Sequence, residues 1–326
     1  MKVWFALMGI LYALSPSNMA VPVVVDDEPV SEPAIAAFAP MVLFRNRVLV
    51  EVSVNGNTPQ RCLVDNCWSH TAFDPRTLNP PGEKNDAISY RALSNKHGRG
   101  LFSQQETMSI GGIDIDKPRV LGTDATRLLS RNLQLEIHGI IGYSTLKDYI
   151  ATFDFKSERL CFSPYSDYLI HCLREHEEIF AFPFGLSPMP SHNTHIFTVP
   201  IAINGETVAA ILDLGFPGGI LTSIPPGDLH LTVNFSSKKI DVSLLGFRGR
   251  AYKTKARKVR LGSTILRNVD TLCCKPGSNR RLTIIGVDLL KDFNITFDNR
   301  NKCVYLIPAS SACASTYYLP GVITSR

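Results

Sequence analysis

The chain has 326 residues, 44% hydrophobic and 19% charged. That is apolar mass for one large core or two smaller ones, which excludes a disordered chain, a collagen-like repeat and a staple-dependent mini-protein. A formal charge of +5 spread along the chain is weak ground for a nucleic-acid partner, and 21 Pro and 22 Gly between short Val, Ile, Leu, Phe and Thr runs exclude a helix bundle and predict an all-β fold.

Lys2 precedes the one long apolar run, Val3 to Leu14, and small or polar residues follow it to Ala20. An apolar core of about 12 residues is too short to span a bilayer, so residues 1–20 read as a secretory signal, with Ser15, Ser17 and Ala20 as small-residue cleavage positions; the alternative is an uncleaved N-terminal anchor. The expected location is secreted, periplasmic or cell envelope, with no stable membrane span after signal removal. Eight cysteines (62, 67, 161, 172, 273, 274, 303 and 313) follow the leader. An oxidising compartment allows bridges, and buried thiols fit equally well.

Five features of the first half recur in order in the second. A strand ending at Asn55-Gly56 is matched by Thr198 to Ile203 ending at Asn204-Gly205, each a tight-turn dipeptide. Cys62-Leu63-Val64-Asp65 matches Ala210-Ile211-Leu212-Asp213, and Met108 to Gly112 matches Val259 to Ser263. His138-Gly139-Ile140-Ile141-Gly142 matches Thr283-Ile284-Ile285-Gly286, with short helices predicted over 145–148 and 289–292. Thr152-Phe153-Asp154-Phe155 then matches Thr296-Phe297-Asp298-Asn299. The offset runs only from 144 (Phe153 to Phe297) to 151 (Met108 to Val259), so the chain reads as a duplication. The resulting division is signal peptide 1–20, N-terminal extension or first strand 21–44, first lobe 45–165, linker 166–195 with a short helix over 169–178, second lobe 196–310 and tail 311–326.

This pattern resembles the aspartic-peptidase superfamily, with retropepsin-like lobes fused in tandem as in pepsin-type enzymes. The resemblance covers both lobes and rests on the apolar-apolar-Asp turn, the Ile-Ile-Gly and the Phe-Asp strand of each. It implies a bilobal acid-protease fold, two β-barrel-like lobes with a cleft between them. By that mapping Asp65 and Asp213 are the catalytic pair, and Ile141-Gly142 and Ile285-Gly286 thread beside the turns to support them. Two carboxyls at about 3 Å share one proton and titrate together; the ionised one activates a water while the protonated one polarises the scissile carbonyl. No metal and no cofactor is implied, and the partner is a peptide or protein substrate in the interlobe cleft of a monomer.

Both turns depart from the family's Asp-Thr/Ser-Gly. The second reads Asp213-Leu214-Gly215, which keeps the glycine and loses the hydroxyl that braces the two loops. The first reads Asp65-Asn66-Cys67, where Asn66 retains hydrogen-bonding capacity across the junction and Cys67, followed by Trp68, adds a side chain where the family has none. Two readings follow: an aspartic endopeptidase, or a catalytically impaired relative whose cleft binds peptide or protein or acts as a scaffold.

Flap hairpins are expected at Ser89 to Ser103, with Tyr90 as a polar flap residue and a tip around Gly98 and Gly100, and at Ser243 to Tyr252 around Gly246 and Phe247. Lys253, Lys255, Arg257 and Arg260 read as a solvated strand face. His171 stands one residue too far from Glu175-His176 for a His-x-x-Glu-His zinc helix, and Cys67 with His70 lacks an orienting third group. No phosphate loop or aromatic-basic single-strand platform is present in the sequence. Asn234-Phe235-Ser236 and Asn294-Ile295-Thr296 fit the glycosylation pattern.

Overall fold

Alternating and continuous apolar runs, punctuated by Gly, Asn and Pro, produce strands throughout a computed structural model that describes residues 37–79, 87–91, 97–165, 180–183, 196–244, 247–274, 282–301 and 303–309. All of these belong to one compact unit, Glu32–Arg326. With 53% strand against 11% helix, the all-β expectation holds. The signal segment, the proposed 169–178 helix and the 311–326 tail lie outside the described residues, as do His171, Glu175, His176, Cys172, Cys313 and Gly246.

The first half contains β1 (Ala37–Leu43), β2 (Val48–Val54), β3 (Gln60–Val64), β4 (Ala72–Phe73), β5 (Ala87–Arg91), β6 (His97–Gln104), β7 (Thr107–Ile110), β8 (Ile113–Asp116), β9 (Arg119–Thr123), α1 (Ala125–Leu133), β10 (Gly139–Ile141), α2 (Tyr143–Leu146), β11 (Ile150–Asp154) and β12 (Arg159–Ser163). After β13 (Phe180–Pro183), the second half runs through β14 (Thr198–Ile203), β15 (Glu206–Leu212), β16 (Ile220–Thr222), β17 (Ile240–Leu244), β18 (Phe247–Leu261), β19 (Thr264–Cys274), β20 (Thr283–Ile285), α3 (Val287–Leu290), β21 (Phe293–Asp298) and β22 (Cys303–Pro308).

The strand pairing repeats as the sequence does. In the second half β14-β15-β20-β16-β19-β18 follow one another and β18 returns to β14, closing a six-stranded barrel. In the first half β2-β3-β10-β4-β9-β6 run in the same order, and β7, which continues from β6, returns to β2. β18 and β19 are each one long strand where the first half has two, because Gln105 and Glu106 interrupt β6/β7 and Lys117 and Pro118 interrupt β8/β9. The Asn-Gly turns use the left-handed region at both residues, Asn55 (φ 53°) with Gly56 (φ 70°) and Asn204 (φ 51°) with Gly205 (φ 105°), the conformation a tight hairpin of this hand needs.

A second set of strands ties the halves together in the order β13-β22-β21-β11-β12-β1. At its centre β11 and β21 are antiparallel, with Ile150 opposite Asp298 and Thr152 opposite Thr296. The two threonine hydroxyls meet at 2.9 Å, as they must where a two-fold repeat crosses itself. Both strands are buried along their full length, and one hydrophobic cluster joins Phe153, Phe162, Phe197 and Phe297 across the halves.

Several expectations need correction. The segment 166–195 is not only a linker, because Phe180–Pro183 within it is a strand paired with β22. The first-strand reading of residues 21–44, by contrast, agrees with β1, which pairs with β12 and then passes to β2. The short helices start directly after Gly142 and Gly286, at Tyr143 and Val287, two residues earlier than predicted. The 97–100 stretch is strand, with Gly98 opposite Tyr90 and Gly100 opposite Ile88. Phe247 likewise pairs with Leu244 inside the β17–β18 hairpin. Asn294 is 1% exposed within β21 and offers no acceptor for a glycan in the folded chain, whereas Asn234 is exposed. Among the described residues no helix is long and apolar enough to cross a membrane.

Candidate active site

Each aspartate arrives at the end of a buried strand and is held by the same set of backbone contacts. β3 runs parallel to β10, with Val64 beside Ile141, and the Asp65 amide continues the ladder by donating to Ile141 O at 3.0 Å. β15 runs parallel to β20, with Leu212 beside Ile285, and the Asp213 amide donates to Ile285 O at 3.0 Å. The chain then turns: Trp68 N donates to Asp65 O (3.1 Å) and Phe216 N to Asp213 O (3.3 Å). Past the glycine, Tyr143 N donates to Trp68 O (2.7 Å) and Val287 N to Phe216 O (2.8 Å). Sequence reasoning did not find these last contacts, since nothing in the residue type marks a backbone amide.

The glycines are dictated by this threading. A Cβ on Gly142 would stand 2.6 Å from the carbonyl oxygens of both Trp68 and His70, and one on Gly286 would stand 2.3 Å from Phe216 O. Only a residue without a side chain lets the support strand pass that close to a backbone loop.

Both carboxylates are clamped by their own turns. Asp65 Oδ1 accepts from Cys67 N (2.9 Å) and Trp68 N (3.2 Å); Asp213 Oδ1 accepts from Gly215 N (2.8 Å) and Phe216 N (3.1 Å). The side chains are 8% and 2% exposed, and neither Oδ2 receives a hydrogen bond from the described residues. Side-chain oxygens of the two acids, together with Cys67 Sγ, come within 4.8 Å of one another. Burial first, and then the Asp65 charge, raises Asp213 well above the ordinary carboxylate range. Burial also raises Asp65, against the pull of the two amides that donate to it. Two carboxyls so placed hold a proton between them more tightly than an exposed acid does.

The two turns brace each other through one residue. Asn66, 1% exposed, donates from Nδ2 to Leu212 O at 2.9 Å and accepts at Oδ1 from Leu214 N at 2.8 Å. The amide thus makes two hydrogen bonds across the junction from the first-half side. Leu214, fully buried, packs in the shared core. Gly215 lies flat against the opposite acid, since a Cβ there would be 2.4 Å from Asp65 Oδ2. At the corresponding place in the first turn Cys67 does carry a side chain, and its thiol approaches Leu212 O at 3.4 Å. Burial, then Asp213, then Asp65 push that thiol well above its usual pKa.

The side chains of other residues singled out in the sequence pack elsewhere. Trp68 packs beside Ala72, Phe102 and Leu121, and His70 meets Phe102 edge-on at 5.0 Å, away from any thiol-imidazole pairing with Cys67. Burial, then Arg119, lowers the His70 pKa. Lys253, Lys255, Arg257 and Arg260 are exposed on β18, with Lys255 3.3 Å from Asp270, as a solvated face requires. Cys62, Cys67, Cys161, Cys273 and Cys274 are unbridged thiols. No protein-family model matches this chain, and none of the curated proteins compared with it matches either.

Proposed function

We propose that the chain is an aspartic-type endopeptidase with the bilobal acid-protease fold, exported from the cytoplasm and acting on peptide or protein segments held between its two lobes. The observation that carries this reading is the meeting of Asp65 and Asp213. Each is clamped at Oδ1 by two amides of its own turn, and a carboxylate oxygen of each lies within 4.8 Å of one from the other. A chain with no use for two acids there gains nothing from desolvating both.

In the reaction the ionised carboxylate removes a proton from a water molecule as its oxygen attacks the scissile carbonyl carbon, and the other carboxyl gives its proton to the carbonyl oxygen. The tetrahedral adduct collapses when the nitrogen takes a proton from the dyad and the C–N bond breaks, leaving a carboxylic acid and an amine. The amide clamps hold both carboxylates in place before substrate arrives, so little reorganisation is left for the reaction itself. The β5–β6 and β17–β18 hairpins supply the flap candidates.

One observation favours a second reading, a cleft that binds peptide without cleaving it. The Cys67 thiol lies beside both acids, where the second turn has the bare Gly215. The two readings separate in a peptide-library digest across pH 3 to 7. The peptidase reading expects cleavage by the wild type and none by Asp213→Asn. Equal cleavage by both, or none by either, overturns it.

A further inference from the structure

We propose that Asp65, Cys67 and Asp213 form a binding site for a thiophilic divalent cation, zinc above all, and that occupancy silences the dyad. The binding part needs only these three side chains; the regulatory part rests on the peptidase reading above.

Three observations carry the site. The ligand atoms, one oxygen from each acid and Cys67 Sγ, lie within 4.8 Å of one another and come from two turns held by the strands behind them. Both acids are more than nine-tenths buried, and each leaves Oδ2 without a hydrogen-bond donor among the described residues. Among the described residues the sulfur's hydrogen-bond contact is the weak one to Leu212 O at 3.4 Å, which a metal–sulfur bond readily replaces.

The donor set selects the ion. Zinc takes thiolate, imidazole and carboxylate ligands in a tetrahedron, with sulfur at about 2.3 Å and oxygen at about 2.0–2.2 Å. Two carboxylates and one thiolate fill three corners and leave the fourth for water. Magnesium and calcium are hard ions that take oxygen ligands, water included, so the Cys67 sulfur favours zinc over either. A dication also offsets the cost of packing two acids and a thiol into one buried space, because the ligands bind as anions and the ion neutralises two of their three charges. Among the described residues no other three His, Cys, Asp or Glu side chains come together in this way.

Substitution of Cys67 by glycine, the residue at the matching place in the second turn, separates this site from the peptidase reading. Zinc affinity is measured on the full chain by competition with a chromophoric chelator. Cadmium is the second probe, read by its thiolate charge-transfer absorption as a wild-type minus Cys67→Gly difference that cancels the remaining cysteines. The site predicts one high-affinity zinc per wild-type chain and at least about a tenfold loss in Cys67→Gly, since even outer partners of a metal cost that much when removed. It also predicts a cadmium–thiolate band present only in the wild type, and no competition by magnesium or calcium. Cys67→Ser, nearly isosteric, repeats the comparison should the glycine variant fail to fold. Equal zinc affinity in wild type and folded variant, or no cadmium difference band, overturns the site. Stoichiometric zinc is expected to stop peptide cleavage in the wild type and to spare whatever cleavage Cys67→Gly retains. Cleavage that zinc leaves untouched overturns the regulatory part, whereas tight zinc binding at Cys67 in a protein that never cleaves peptides upholds the site and removes the peptidase reading.

Discussion

Asn66→Ala tests the brace between the two turns. The amide contributes two buried hydrogen bonds over 2.8 and 2.9 Å, and truncation leaves the Leu214 N–H without its acceptor and Leu212 O with only the Cys67 thiol at 3.4 Å. Each buried group left unsatisfied costs about 1–3 kcal/mol, so the loss is on the order of 2–4 kcal/mol, weighted toward the Leu214 amide, which has no other acceptor among the described residues. Urea denaturation at fixed pH measures it as a lower midpoint with an unchanged slope. Asn66→Asp sharpens the test: it keeps an acceptor for Leu214 N, removes the donor to Leu212 O and adds a third buried carboxyl. Its deficit should therefore grow as the pH rises and shrink toward that of a neutral side chain in acid. If Asn66→Ala loses less than about 0.5 kcal/mol, the surface-substitution range, the junction is not braced through this residue.

Gly142→Ala and Gly286→Ala should each cost on the order of 2–3 kcal/mol, because the new Cβ meets backbone carbonyls that cannot swing aside; a thermal melt of either variant that overlays the wild type would contradict the threading. For Asp213→Asn the sign follows from the raised native pKa. The wild type holds its full dyad contribution below the ordinary carboxylate pKa of 3.8 and loses it as the pH rises through the raised native value. The variant should therefore match the wild type near pH 3 and exceed it in stability near pH 7, and denaturation curves that stay parallel across that range would refute this. Cys67→Gly combined with Leu214→Thr, which gives the first turn the glycine of the second and gives the second turn a hydroxyl, should raise kcat about tenfold if misplaced carboxyls limit the wild type. A double variant that folds and gains nothing would count against that explanation.

The parts legible in the sequence are those written in short contiguous signals. Asn55-Gly56 and Asn204-Gly205 mark hairpins because only a few residues accept a left-handed turn. The apolar triplets before Asp65 and Asp213 mark strands buried on both faces, and Ile141-Gly142 with Ile285-Gly286 mark the strands that support them. Asn66 was readable as a residue able to bridge the junction, although its double role, accepting from one backbone group and donating to another, was not.

Other features depend on partners far away in the chain. Phe180–Pro183 forms a strand because β22 offers it an edge, and four residues in a Pro-rich stretch carry no periodicity of their own. β11 finds β21 across 144 residues, as the Thr152–Thr296 contact shows, and no local pattern announces such a pair. Helix α1, ATRLLSRNL, is short and half polar, so its amphipathic pattern is lost among turn residues. Cys67 was read as an intruding side chain; that its sulfur would join both acids depends on how the two turns face each other.

The shared proton is best tested on the acids themselves, by carbon NMR of aspartate carboxyls across pH 2 to 9, with resonances assigned by their absence in Asp65→Asn and Asp213→Asn. Two coupled resonances are expected in the wild type, the second proton leaving well above the ordinary aspartate range, and a simpler, lower titration of Asp65 once Asp213 is neutral. Two independent titrations at ordinary aspartate values, each unchanged by substitution of the other residue, would contradict a shared proton.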